Sequence, residues 1–118
     1  YVVVEGAGGW RVPLNERETI ADLAYALGLP VILVVGMRLG CLNHALLSCE
    51  SIIRQGVPLA GWVANSAIPE FPERQENIDT LRERINAPLL GVVPYLREFD
   101  AQVIAGCLGL WKCFVSLS

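Results

Sequence analysis

Two hydrophobic periods alternate along the chain. Short apolar runs occupy residues 1–4 (YVVV), 31–35 (VILVV), 59–63 (LAGWV) and 89–93 (LLGVV), without strict alternation. Runs of this kind fit strands buried on both faces, as in a parallel sheet. Helix-period segments separate them. Residues 19–27 stripe Ile20, Leu23, Ala24 and Leu27, and Gly28 and Pro30 close that helix. Residues 42–54 stripe Leu42, Ala45, Leu46, Cys49, Ile52 and Ile53, and Gly56 stops them. Residues 73–86 predict a mostly solvated helix with Ile78, Leu81 and Ile85 inward, and a last helix begins near Ala101. The order β-α-β-α-β-α-β, with helices of crossover length, predicts an α/β fold with a parallel sheet flanked by helices.

Composition narrows the class. The 118 residues are enough for one domain at most, and a hydrophobic share of 53 % can build a core. The net charge is −3 and the nine Lys and Arg residues are scattered. That argues against nucleic acid as a partner, because such a face needs clustered basic charge. Cys41, Cys49, Cys107 and Cys113 form no CxxC pair and meet only the lone His44, so the expectation is reduced thiols in a cytoplasmic protein rather than zinc. The stretch LPVILVVGM is about half the roughly 20 residues of a membrane span, and no charged leader opens the chain. A strand beginning at Tyr1 with no lead-in reads as a sheet entered midway.

In parallel sheets, ligands bind beyond the carboxyl ends of the strands. The residues there are Glu5 with the turn Gly6-Ala7-Gly8-Gly9, then Arg38 leading to Cys41-Leu42-Asn43, then Asn65, then Pro94 and Tyr95. A carboxylate, a glycine turn, a cation, a helix start and an amide on one edge suit a metal-bound anionic ligand. Each also has a plainer reading. Glu5 reads equally as a solvated strand-end residue, although an acid after four apolar residues is costly to bury unpaired. The glycine run serves any tight turn as well as an anion nest. Asn65 reads as a turn residue, Arg38 as a solvated charge, and Asn43 as a first-turn residue that also suits an anion at a helix start. His44 reads as packing or capping.

Together "VVEGAGGWRVPL", "LPVILVVGMRLGCLNHALL", "LAGWVAN" and "APLLGVVPYL" closely resemble, in order and spacing, the C-terminal half of dethiobiotin synthetase. The resemblance covers roughly residues 2–98 and implies a P-loop NTPase-like fold. It also implies a Mg2+- and ATP-dependent ligase of biotin synthesis, acting as a homodimer. Such enzymes close the ureido ring of dethiobiotin from 7,8-diaminopelargonic acid and CO2, through a carbamate that ATP phosphorylates. By this resemblance Glu5 is a magnesium ligand, and Glu5, Gly6, Ala7 and Gly8 approach the nucleotide. Asn65 reads adenine, with Pro94, Tyr95 and more weakly Glu98 beside it. Gly8, Gly9, Cys41, Leu42 and Asn43 meet the substrate, the last three across the dimer interface.

The departures are equally specific. No GxxxxGK[ST] loop is present, and Lys112 is the only lysine. The N-terminal P-loop portion of the family is therefore expected to be missing from residues 1–118, a partial domain inactive by itself. Residues 111–118 read as an atypical tail, with Trp111, Phe114 and Val115 an aggregation hazard if uncovered. Other P-loop relatives, such as a cobyric-acid-synthase-type domain or a partitioning-type ATPase, share the sheet, and a non-catalytic truncated relic is the third reading. Only the ligase binds a diamino acid.

Overall fold

The computed structural model describes residues 1–110 and 112. The elements run α1 (Ile20–Leu27), β1 (Val31–Gly36), α2 (Cys41–Gln55), β2 (Leu59–Asn65), α3 (Arg74–Arg84), β3 (Leu89–Val93) and α4 (Ala101–Cys107). β1, β2 and β3 lie side by side in that order, all parallel, with α2 and α3 as the crossovers.

The predicted strand over residues 1–4 does not form. Tyr1, Val2, Val3 and Val4 are exposed, and residues 1–6 join no ladder with β1, β2 or β3. Apolar character alone does not make a strand, because its backbone groups need a neighbouring ladder. Three of the four predicted strands are therefore present among the described residues. The predicted tail at 111–118 lies outside the described residues, apart from Lys112, whose ammonium donates to the Leu89 carbonyl at 3.4 Å.

Two register shifts shape the sheet. Val31 pairs with Leu59 but Ile32 pairs with Gly61, which leaves Ala60 as an extra residue in β2. Trp62 pairs with Leu89 but Val63 pairs with Gly91, which leaves Leu90 extra in β3. The displaced Leu90 side chain lies over Gly61, where a Cβ would fall 2.7 Å from Leu90 Cγ. A glycine in the central strand, ordinarily a weak strand residue, is here required by the close approach.

Each face of the sheet has its own cover. On one, Val35, Met37, Trp62 and Ala64 pack with Cys41, Ala45 and Cys49 of α2 and with Ile78, Leu81 and Ile85 around α3. On the other, Ala60, Val63, Leu90 and Val93 pack with Ile104, Cys107 and Leu108 in and after α4. The α3 stripe matches its prediction. The α2 stripe also holds, with Ala45, Cys49 and Ile52 buried and Leu42 and Leu46 packed against the core, and departs at Ile53, which is exposed. The α1 stripe is rotated: Leu23 and Leu27 are exposed, whereas Ala21 is buried. α1 is tied to the end of α2 by Asp22, which accepts from Gln55 Nε2 at 3.2 Å.

Candidate functional site

The strand order places three carboxyl ends in a row. Gly36 pairs with Asn65, and Asn65 pairs with Val93, so β1, β2 and β3 finish level with one another. The next residues continue the contact: Met37 N–H donates to the Asn65 carbonyl at 2.8 Å, and Ser66 N–H donates to the Val93 carbonyl at 2.9 Å. Backbone beyond the strands is thereby fixed before any ligand arrives.

A cleft of about 280 Å³ opens at this edge, between the ends of β2 and β3 and the approach to α4. Asn65, Ser66 and Ala67 form one wall, Val93, Pro94, Tyr95 and Leu96 another, and Phe99 and Ile104 close the third side. Its surface is divided almost evenly between polar and apolar atoms. Asn65 is half-buried, while Pro94 and Tyr95 are exposed enough to meet a ligand from solvent. Asn65, Pro94 and Tyr95, singled out by sequence, meet in this one cleft.

Sequence reasoning missed Ser66. Its side chain is buried, yet Oγ has no hydrogen-bond partner. A buried hydroxyl without a partner carries a desolvation cost that a ligand polar atom can relieve. The available signal was a polar residue directly after the strand-ending asparagine.

The other predicted residues stand outside the cleft lining. Glu5, Gly6, Ala7, Gly8 and Gly9 are exposed, and the backbone at Gly6 lies against the side chain of Ile20 at the start of α1. Cys41 is buried, Leu42 half-buried and Asn43 exposed, in the first turn of α2. Gly40 caps that helix without a side-chain hydrogen bond; the Cys41 N–H donates to the Arg38 carbonyl at 3.1 Å, which leaves the Leu42 and Asn43 amides as its first-turn donors. Arg38 and Glu98 are exposed. Among the described residues, no three His, Cys, Asp or Glu side chains group together. Glu5 therefore belongs to no group of three such side chains among the described residues. No helix among them is long and apolar enough to cross a membrane.

A family model described as an AAA domain matches residues 1–103. The chain belongs to the AAA domain family. Within that family the resemblance to dethiobiotin synthetase holds. The chain is 56 % identical over 110 residues to the ATP-dependent dethiobiotin synthetase BioD of Pseudomonas paraeruginosa, a match covering 93 % of the chain and 48 % of that relative. For the enzyme of the same name from Cellvibrio japonicus the identity is 57 %, with the same coverage. For that of Nitrosospira multiformis it is 50 % over 115 residues, covering 98 % of the chain and 51 % of the relative. The chain thus spans about half the length of these relatives. A P-loop-type α/β assignment agrees with the parallel sheet and its flanking helices.

Proposed function

We propose that residues 1–118 form the nucleotide-base-reading part of an ATP-dependent dethiobiotin synthetase. The observation that carries this reading is the convergence of Asn65, Pro94 and Tyr95 on one cleft at the strand ends. The Asn65 amide offers a donor and an acceptor to a base edge, and Pro94 and Tyr95 offer surface for its ring. Ser66, in the same lining, adds a buried Oγ that has no hydrogen-bond partner within the fold.

The chemistry of the whole enzyme is the ATP-dependent closure of a ureido ring from 7,8-diaminopelargonic acid and CO2. Phosphoryl transfer to a carbamate brings anions together, so it needs positioning and fixed positive charge. Magnesium, when bound, neutralises phosphate charge, and it characteristically keeps waters and phosphate oxygens beside one or two carboxylates. Glu5 would hold it as one such carboxylate. Exposed backbone at Gly6, Ala7, Gly8 and Gly9 allows close approach of anionic oxygens. The first turn of α2, at Cys41, Leu42 and Asn43, suits a carboxylate, because the Leu42 and Asn43 amides and the helix dipole both favour an anion. In a cytoplasmic homodimer that carboxylate belongs to substrate bound mainly by the other protomer.

The test is formation of dethiobiotin from 7,8-diaminopelargonic acid, CO2 and ATP by the intact protein. Product that depends on all three supports the reading. ATP turnover that a diamino acid does not influence overturns it in favour of another P-loop activity. The 118 residues assayed alone are expected to form no product, because they contain no GxxxxGK[ST] loop and their single lysine, Lys112, donates to the Leu89 carbonyl.

A further inference from the structure

The third side of the cleft is held by a contact that the sequence gives little reason to notice. After α4 the chain turns back along β3. Leu108 forms an isolated antiparallel bridge with Gly91, and Gly109 N–H donates to the Leu90 carbonyl at 2.6 Å. Gly91 is the seat for this return. A Cβ on Gly91 would collide with the Cys107 carbonyl oxygen and lie 3.2 Å from Leu108 Cα. These are backbone atoms, so no side-chain rotation relieves the collision.

The seat connects directly to the cleft. Ile104, which closes the third side, sits one helical turn before Cys107 on α4. α4 has only seven residues, about two turns, with Ile104, Cys107 and Leu108 packed on the Leu90 face of the sheet. A helix so short moves as one body. If Cys107 retreats from β3 by on the order of 1 Å to regain van der Waals distance, Ile104 retreats with it.

We propose that Gly91 is a positioning residue: by admitting the Cys107–Leu108 backbone against β3, it sets the distance between Ile104 and the Asn65–Ala67 wall, and so the fit of a purine base. This rests on the nucleotide reading above. Gly91 touches no ligand and acts through α4.

The test compares ATP with inorganic tripolyphosphate, which lacks the base and ribose, by titration calorimetry on the intact protein. Gly91→Ala is expected to weaken ATP by up to about tenfold, the effect of roughly one misplaced contact, and to leave tripolyphosphate unchanged. A general loss of structure would weaken both. Gly109→Pro is the second variant. It removes the hydrogen bond to Leu90 without adding bulk at Gly91, and extended Leu108 (φ −104°, ψ 126°) tolerates a following proline. It decides the question if Gly91→Ala does not fold, and it should move ATP alone in the same direction. If the wild type prefers ATP over tripolyphosphate and the folded variants keep that preference, the positioning role is overturned and the nucleotide reading stands. If the wild type shows no preference, the nucleotide reading fails and the positioning role fails with it.

Discussion

Asn65 and Val93 end adjacent parallel strands in direct register, and the amide following Asn65 donates to the Val93 carbonyl at 2.9 Å. This locks the Asn65 backbone to the β3 end while its side chain is left to face the cleft. Asn65→Ala is therefore expected to weaken adenine-nucleotide binding by about 1–3 kcal/mol, the range for an unmet buried hydrogen bond. Calorimetric titration with ATP checks it. Undiminished affinity in a folded variant would remove Asn65 from the site.

Ser66 separates stability from binding. Its buried Oγ makes no hydrogen bond, so Ser66→Ala removes no internal partner. Folding stability should stay within about 1 kcal/mol or rise, while ATP affinity falls. Urea unfolding and ATP titration on the same variant check both halves. A marked stability loss would mean that the hydroxyl is satisfied within the fold.

How far the sequence speaks is clear from particular residues. Strands at 31–35, 59–63 and 89–93 were legible because buried parallel strands need continuous apolar runs, and Gly28 and Gly56 marked where two helices close. Residues 1–4 carry the same apolar signal, but pairing is a property of two segments and cannot be read from one. That Asn65, Pro94 and Tyr95 come together was legible because the chain leaves adjacent parallel strands at one edge. Ser66, Ile104 and the Gly91 seat were not, since each depends on what a distant segment leaves open or covers. The α1 stripe failed at Leu23 and Leu27, which are exposed while Ala21 is buried, because which side of a helix is covered depends on what packs against it and not on its own hydrophobic ranking.

Gly61 and Leu90 form a size-complementary pair created by the register shift in β3. Gly61→Ala places a methyl against Leu90 Cγ, and overpacking of this kind costs about 1–3 kcal/mol. Leu90→Ala, at a buried site, should cost about 2–5 kcal/mol. The two substitutions share one space, so the double variant should lose less than the sum of the singles. Urea unfolding of all four proteins measures the coupling. Strict additivity would mean that the backbone, rather than Leu90, absorbs the added methyl.

Asp22 carries the clearest pH signature among the described residues. The Thr19 backbone amide donates to its carboxylate at 2.7 Å and the Thr19 hydroxyl at 3.0 Å, with Gln55 Nε2 completing the set. These donors, the Thr19 amide first, hold its carboxyl below its usual value of 3.8, outweighing a smaller opposing effect of burial. The sign follows from linkage. At a pH between the two values the unfolded chain binds the proton and the folded one does not, so acid favours unfolding. The contribution is complete above the unfolded value and disappears as the pH falls through the folded one. Asp22→Asn, which keeps the shape and loses the charge, should therefore be less stable than wild type at neutral pH, and the gap should close in acid below 3.8. Denaturant midpoints of both proteins, followed from neutral pH downward, measure that gap. A gap that stays constant into strong acid would show that the Asp22 charge does not stabilise the start of α1.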